Sequence, residues 1–293
     1  AAISAATVRG KGDGELADKL ATDSLRKALN LNQHSTKVVI GEGERDDAPM
    51  LYIGEILGKN KSGLKLELAV DPLECTTNCA NNLPNSMTVL VISGENTLLN
   101  APDTYMMKIC GQKSLKNYLS INNSVEKNLS ITCEVLKKNP EDLKIVILDR
   151  QRHEKLIKEV KDFGSTPILI SDGDVSAGIE AAEGKVDLLY GIGAAPEGVI
   201  TAAAVKALGG FFLGKLIFDN HSFLNRSKKM LGNQIDKIWS ENELCKGEDY
   251  FFIATGVGDG WVPGVKFNEN SIKVFSKIIF GNSSEIKLIE REY

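Results

Sequence analysis

The chain has 293 residues, of which 42% are hydrophobic and 25% charged, with a formal net charge of -4. This is the composition of an ordinary globular protein, long enough for one large domain or two smaller ones. Neither a long basic run nor an apolar run of about 18 residues is present, which argues against nucleic acid and the membrane as partners. Five cysteines without a C-x-x-C pair argue against a structural zinc site and favour free thiols inside the cell.

Helix and strand patterns alternate through the first half of the chain. Apolar residues at helical spacing predict helices at residues 18–31 and 48–57, the second with Pro49 in its first turn. Apolar alternation or β-branched residues predict strands at residues 37–40, 64–71 and 86–93.

The second half continues the same alternation. Helices are predicted at residues 153–164 and 196–210, and both are followed by or end in glycine. Strands are predicted at residues 143–150, 165–171, 186–193 and 250–257. We therefore expect an α/β fold with helices packed on sheets, divided into halves at 1–123 and 124–293, which could also form one compact domain.

Acidic residues follow the predicted strands at several places. Solvation of a loop explains any one of them, but their recurrence favours a shared site at strand ends, where α/β folds place their ligands. Oxygen ligands with few histidines suit Mg²⁺ or Mn²⁺, ions that polarise phosphoryl oxygens and activate water. The acidic residues are Glu42, Glu44, Asp71, Glu74, Asp172, Asp174 and Glu197.

A basic segment follows the strand predicted at 143–150. Arg150 and Arg152 would lie on one side of an extended segment, where their guanidinium groups match phosphate oxygens. A solvated turn explains the pair equally well, and we expect His153 to be a surface or capping residue. The glycine-rich stretches GEGE, SDGD and GIGAAPEG match neither nucleotide-binding fingerprint, and no G-x-S-x-G elbow is present.

Five segments resemble the class II fructose-1,6-bisphosphatases, in particular the cyanobacterial type that also hydrolyses sedoheptulose-1,7-bisphosphate. They are IGEGERDDAPMLYIGE (40–55), AVDPLECT (69–76), NAPDTYM (100–106), SDGDV (171–175) and LLYGIGAAPEGVITAA (188–203). The resemblance implies a layered α-β-α-β-α sandwich of the sugar phosphatase and inositol monophosphatase type. It also implies that Mg²⁺ or Mn²⁺ activates a water, which removes the C1 phosphate of the bisphosphate.

The same resemblance implies roles for individual residues. Thr76 would orient the attacking water, beside the catalytic carboxylates Asp71 and Glu74. The implied metal ligands are Asp18, Glu42, Asp71, Glu74 and Glu197. The implied contacts to the sugar and its second phosphate are Tyr105, Arg150, Arg152, Asp172 and Asp174. The expected partner is a sugar bisphosphate, and we expect a homo-oligomer, dimer or tetramer, in the cytoplasm or the plastid stroma.

Several positions depart from the family pattern, among them Arg150 and the segment ATGVGDGWVPGV (254–265), and three of them motivate an alternative function. Cys75 and Ala194 stand where the family has glycine, and Gly14 stands where it has lysine. Glycine in such a loop often serves a positive φ, so a side chain there could strain the loop or narrow the pocket. A weakened or inactive paralogue with a structural or regulatory role is therefore the alternative. A phosphatase acting on inositol phosphates or nucleotide 3′-phosphates is a third hypothesis.

The two cysteines beside the acidic motif raise the question of redox control. Cys75 and Cys79 are four residues apart. A disulfide would require a helix after Thr76, because an extended segment holds the two thiols too far apart. We expect free thiols.

Overall fold

A computed structural model describes residues 1–43, 50–60 and 63–293. It divides the chain into two compact units, which are described separately. The first comprises Ala1–Asn100 and Lys246–Tyr293, and the second comprises Ala101–Cys245. The division predicted between residues 123 and 124 lies inside the second unit. The first unit is built from two separate segments of the chain, so a single division cannot describe it.

The first segment of unit 1 carries three helices and four strands in its described residues. The helices are α1 (Ala2–Ala6), α2 (Gly14–Asn30) and α3 (Thr76–Ala80). The strands are β1 (Ser35–Ile40), β2 (Ile56–Leu57), β3 (Lys65–Glu74) and β4 (Met87–Gly94).

Unit 2 contains six strands and six α-helices. The strands are β5 (Tyr105–Gly111), β6 (Ile145–Leu148), β7 (Ile168–Ile170), β8 (Leu188–Ala194), β9 (Phe211–Ile217) and β10 (Ile238–Ser240). The helices are α4 (Val125–Leu136), α5 (Glu154–Asp162), α6 (Asp174–Ala182), α7 (Ala195–Ala207), α8 (His221–Leu231) and α9 (Glu241–Leu244).

The chain then returns to unit 1 and completes its sheet. The returning strands are β11 (Tyr250–Gly256), β12 (Lys266–Phe267), β13 (Ile272–Phe280) and β14 (Ile286–Glu292). The sheet has the order β12-β13-β11-β4-β3-β1-β2, with β14 also paired to β13. β1 and β3 are parallel, and the other pairs are antiparallel.

Helix α2 covers one face of the unit 1 sheet. The Asp13 side chain caps it by accepting a 2.9 Å hydrogen bond from the Leu16 amide. Ala17, Ala21 and Leu25 recur every four residues and are buried, so they form the stripe that packs on the sheet. Small side chains at 17 and 21 allow a close approach to the strands.

The helix predicted at residues 48–57 is wrong for its described part, and Ala48 and Pro49 lie outside the described residues. Residues 50–57 form turns followed by β2. Leu51 has a φ of 53°, and its amide donates a 2.6 Å hydrogen bond to the Glu55 carboxylate. Ile56 pairs with Lys37 of β1. Strand pairing and a side-chain bond therefore override a helical spacing of apolar residues.

Unit 2 is a three-layer arrangement around the sheet β10-β9-β5-β8-β6-β7. β6 runs parallel to β7 and β8, whereas β5 is antiparallel to β8 and β9. Helices α4 and α5 pack their apolar residues on one face, together with Ile109 of β5. Helices α6 and α7 contact the same strand from the other face. The α/β sandwich class predicted from the sequence is confirmed.

Within the described residues, no helix combines the length and the apolar character needed to cross a bilayer.

Candidate active site

The parallel pair β1 and β3 positions the first two carboxylates. Ile40 of β1 is in register with Ala69 of β3. Glu42 and Asp71 each lie two residues further along, so Glu42 follows the carboxyl end of β1 and Asp71 lies in the last part of the neighbouring parallel strand β3. This is the edge where α/β sheets carry their ligands. Glu44, also considered from the sequence, lies outside the described residues.

A bulge in β3 separates Asp71 from Glu74. The register with β4 shifts between these two residues, where Pro72 has no amide to donate to the ladder. The Leu73 amide donates a 2.9 Å hydrogen bond to Asp71 Oδ1, and the Thr88 hydroxyl donates to the Pro72 carbonyl at 2.8 Å. The bulge is therefore held on both sides, and Glu74 is buried directly after it.

Cys75 turns the chain from β3 into α3. Its φ of 64° and ψ of 51° are left-handed, a conformation that glycine adopts readily and that costs other residues roughly 1–2 kcal/mol. The side chain is 3% exposed. This turn explains why the family pattern has glycine here, and it places Thr76 at the first position of α3. Cys75 and Cys79 are free thiols.

Thr76 lies beneath the start of α2. Its hydroxyl donates a 2.9 Å hydrogen bond to the Leu73 carbonyl, which leaves the oxygen lone pairs as acceptors. A Cβ on Gly14 would lie 2.9 Å from Thr76 Cγ2. A lysine at position 14 would thus require the Thr76 side chain or the start of α2 to shift, so the glycine at this departure from the family pattern is matched to local packing.

Asp18 belongs with Glu42, Asp71 and Glu74 to the residues of unit 1 that are predicted to bind metal, called the acidic group below. Burial raises the pKa of Asp18, and a hydrogen bond to the Glu42 side chain acts in the opposite direction. Two carboxylates that share a hydrogen bond need a proton or a cation between them. Asp18 comes from α2 and Glu42 from the end of β1, so the structure brings together two side chains that are distant in sequence.

The donor chemistry of this acidic group fits a hard divalent cation. Its members offer only carboxylate and hydroxyl oxygens, the ligands that Mg²⁺ and Mn²⁺ prefer. In the described residues, no three acidic, histidine or cysteine side chains stand close enough to hold an ion by themselves. The fit rests on the shared hydrogen bond of Asp18 and Glu42 and on the strand-end positions of Asp71 and Glu74.

The sheet of unit 2 collects its polar residues at one edge in the same way. The segments after the parallel strands β6, β7 and β8 all leave from this edge. Tyr105 opens the antiparallel strand β5 there, paired with Ala194. The other predicted residues at this edge are Arg150, Arg152, Asp172, Asp174 and Glu197.

Arg152 and Tyr105 are in direct contact. The guanidinium carbon of Arg152 lies 4.7 Å from the centre of the Tyr105 ring, a cation–π contact. Arg152 Nε also donates a 3.1 Å hydrogen bond to the Ile192 carbonyl. Arg152 is exposed, and the hydrogen bond to Ile192 uses Nε and not the two terminal nitrogens. Arg150 is exposed as well, and its Nη1 donates to the Asp149 carbonyl at 3.0 Å.

His153 is buried, so the expectation of a surface position is wrong. Its Nε2 accepts a 2.7 Å hydrogen bond from the Ile192 amide, and Nδ1 donates to the Leu148 carbonyl at 2.7 Å. Burial lowers the pKa of His153, although the bond to Leu148 works against that shift. Both ring nitrogens are occupied, so His153 fastens the arginine-bearing turn to β8.

The two aspartates after β7 differ in their surroundings. Asp172 Oδ1 accepts a 3.1 Å hydrogen bond from the Gly173 amide. Asp174 opens α6 and is paired with Lys108 of β5, with 2.6 Å between Nζ and Oδ2. Lys108 did not stand out in the sequence, because a single lysine within a short apolar strand pattern has no distinguishing signal.

Glu197 lies in the first turn of α7, after Pro196. Acidic side chains are favoured there because the helix N-terminus carries a partial positive charge. The preceding Ala194 has a φ of -69° and a ψ of 145°, an ordinary extended conformation. Its methyl group is therefore compatible with the turn without strain.

Comparison with known proteins places the chain in one family. The family model described as bacterial fructose-1,6-bisphosphatase, glpX-encoded, matches residues 1–293. A Prochlorococcus marinus (strain MIT 9312) protein is 42% identical over 95% of this chain and 88% of its own length. A Nostoc (strain PCC 7120) protein is 40% identical over 99% of this chain and 92% of its own length.

The Trichodesmium erythraeum (strain IMS101) relative is 39% identical, over 99% of this chain and 92% of its own length. All three relatives are named D-fructose 1,6-bisphosphatase class 2/sedoheptulose 1,7-bisphosphatase. Phosphatases of this type depend on a metal ion. The chain belongs to the family of bacterial, glpX-encoded fructose-1,6-bisphosphatases.

Proposed function

We propose that this protein hydrolyses the C1 phosphate ester of fructose-1,6-bisphosphate, and the corresponding ester of sedoheptulose-1,7-bisphosphate, with Mg²⁺ or Mn²⁺. The observation that carries the proposal is the register of β1 and β3. Ile40 pairs with Ala69, so Glu42 and Asp71 each come two residues after paired positions of neighbouring parallel strands, and Glu74 lies beyond the bulge. The names of the relatives support the substrate class.

Each unit has its own part in the proposed reaction. The acidic residues of unit 1 would hold the cation, which polarises the phosphoryl oxygen and activates water when bound. The role of Glu197 as a metal ligand rests on the family resemblance alone. Thr76 accepts a hydrogen bond from the attacking water through its free lone pairs and so orients it. The water oxygen bonds to phosphorus and gives up one proton, the bond between phosphorus and the oxygen on C1 breaks, and that sugar oxygen takes up one proton in return. Inorganic phosphate and the sugar monophosphate leave.

The edge of unit 2 supplies the contacts that a bisphosphate needs. Arg152 is stacked on Tyr105 and keeps its terminal nitrogens for two phosphate oxygens. Asp172 and Asp174 offer acceptors to sugar hydroxyls. The two arginines would bind the second phosphate of the substrate. A site with such a pair favours a sugar bisphosphate over inositol monophosphates and nucleotide 3′-phosphates.

The weakened paralogue remains the alternative, and local geometry argues against it. Cys75 adopts the backbone conformation that the family's glycine would take. Ala194 is unstrained, and Gly14 fits against Thr76. None of the three departures removes a carboxylate.

Phosphate release from fructose-1,6-bisphosphate in the presence of Mn²⁺ or Mg²⁺ tests the proposal. We expect turnover by the wild-type chain and a loss of at least about 100-fold in Asp71→Asn and in Glu197→Gln, since a neutral amide weakens cation binding. Asp162→Asn, on the exposed surface of α5, is the matched control and should retain full activity.

Unchanged activity in both variants would refute the assigned roles. A wild-type chain that binds no Mn²⁺ by calorimetry and releases no phosphate from either bisphosphate would establish the inactive paralogue. The choice between Mg²⁺ and Mn²⁺ follows from the same assay. Homo-oligomer formation and location in the cytoplasm or the plastid stroma stay predictions.

A further inference from the structure

We propose that Lys108 is a positioning residue of this site: its ammonium group holds Asp174 in the orientation that accepts a hydrogen bond from a substrate sugar hydroxyl. This inference rests on the proposed function and concerns a residue that makes no substrate contact itself.

The contact between the two side chains is short and almost completely buried from solvent. Lys108 lies in the middle of β5, is 1% exposed and faces α6. Its Nζ is 2.6 Å from Asp174 Oδ2. Asp174 is 8% exposed at the start of α6, so one end of the pair reaches the polar edge of the sheet and the other lies inside the unit.

Two glycines pack closely against the pair, and at Gly193 there is no room for a side chain. A Cβ on Gly193 would lie 1.9 Å from Asp174 Oδ2 and 2.9 Å from Lys108 Nζ. A Cβ on Gly198, one residue after Glu197, would lie 3.3 Å from Lys108 Cε. β8 and α7 therefore pack closely against the end of the Lys108 side chain, whose ammonium group is bound to Asp174.

Stability alone does not account for a charged pair at this place. Desolvation of two buried ions offsets most of their attraction, and apolar residues of similar volume often stabilise a core as well or better. A pair retained at the polar edge of the sheet therefore points to a role for the carboxylate. Among the described residues, Lys108 is the donor that binds the Asp174 carboxylate. The bond uses Oδ2, so Oδ1 can accept a hydrogen bond from a ligand.

The neighbouring contacts show why the orientation matters. Asp174 and the Arg152–Tyr105 pair lie at the same edge, after β7 and β6. A bisphosphate that anchors one phosphate on Arg152 presents its hydroxyls to fixed acceptors. An Asp174 side chain released from Lys108 would rotate, and the hydroxyl would lose its acceptor without any change at the reacting phosphate.

The expected signature is therefore a change in KM with little change in kcat. With fructose-1,6-bisphosphate and Mn²⁺, Lys108→Met should raise KM about 10-fold or more, the range of a lost hydrogen bond to a charged group. We expect kcat to stay within about 3-fold. Lys138→Met is the control, because Lys138 also forms an ion pair in the same unit, at 2.7 Å from the buried Asp187, although its own side chain is 35% exposed; its KM should be that of the wild type.

A double variant separates positioning from a general loss of structure. Asp174→Asn should raise KM as Lys108→Met does, and Lys108→Met/Asp174→Asn should be no worse than Asp174→Asn alone, because Lys108 acts only through Asp174. The double variant contains no uncompensated charge, so it decides the question even if Lys108→Met does not fold.

The outcomes distinguish the two proposals. No phosphate release by the wild-type chain overturns the proposed function. Wild-type turnover combined with an unchanged KM in Lys108→Met or in Asp174→Asn overturns the role of Lys108 alone. Equal losses in kcat and in thermal stability across Lys108→Met, the double variant and Lys138→Met would assign Lys108 to structure only.

Discussion

Replacement of Cys75 by glycine and by alanine should reverse the usual order of stability of these two residues. Both variants lose the same sulfur atom and its contacts, so they differ in one buried methyl group and in the backbone energy. At φ 64° and ψ 51°, alanine carries the left-handed penalty and glycine does not. We expect Cys75→Gly to be more stable than Cys75→Ala by about 1 kcal/mol.

Cys79 provides the control on the same short helix. It is buried in α3 with helical geometry, where alanine is more stable than glycine by about 1 kcal/mol. Cys79→Ala should therefore be more stable than Cys79→Gly. The Gly-minus-Ala difference in unfolding free energy should have opposite signs at positions 75 and 79, and the two differences should lie about 2 kcal/mol apart. The urea midpoint at a constant m-value measures each difference, and each kcal/mol should shift Tm by about 2–4 °C. If Cys75→Ala is as stable as Cys75→Gly, the left-handed turn at Cys75 is refuted.

Two further predictions concern unit 2. Gly193→Ala should destabilise the protein by about 3 kcal/mol in urea unfolding, because its methyl group would overlap Asp174 Oδ2. The control is Ala194→Gly, at an unstrained position, which should cost no more than about 1 kcal/mol. Equal effects of the two substitutions would contradict the packing around Gly193. Burial lowers the pKa of His153 from its ordinary 6.5, so the native state binds fewer protons than the unfolded state below that value. The contribution of His153 to stability is full above pH 6.5 and falls as the pH drops below that value, since a protonated ring cannot accept a hydrogen bond from the Ile192 amide. The difference in unfolding free energy between pH 7.5 and pH 5.5 should be smaller in His153→Gln than in the wild type. An equal difference in the two proteins would contradict this origin.

The strongest local patterns predicted the framework of the fold. The alternation in residues 64–71 appears as β3, and the apolar helix predicted at 196–210 appears as α7. Where these elements end, chain direction and register fix the side chains that follow, which is why strand-end carboxylates could be selected as candidates from sequence alone. Whether Asp71 and Glu197 bind metal stays a prediction.

Long-range contacts decided what the patterns could not. His153 is buried because its partners are the backbone groups of Leu148 and Ile192, and the second of these comes from another strand. Lys108 looks like a surface residue until α6 brings Asp174 to it. The spacing in residues 48–57 resembles a helix, but Ile56 pairs with Lys37 of β1 instead. In each case the deciding partner is absent from the local window.

The return of the chain to unit 1 has a consequence for synthesis on the ribosome. β4 lies between β3 and β11, and its register with β11 joins Ser93 to Tyr250. One edge of β4, including the buried Val89 and Val91, therefore stays open until all of unit 2 has emerged. Domains fold as they are made, and an unpaired apolar strand edge is prone to association with other chains. Slow closure of this pairing should make the nascent first unit the segment most dependent on chaperones.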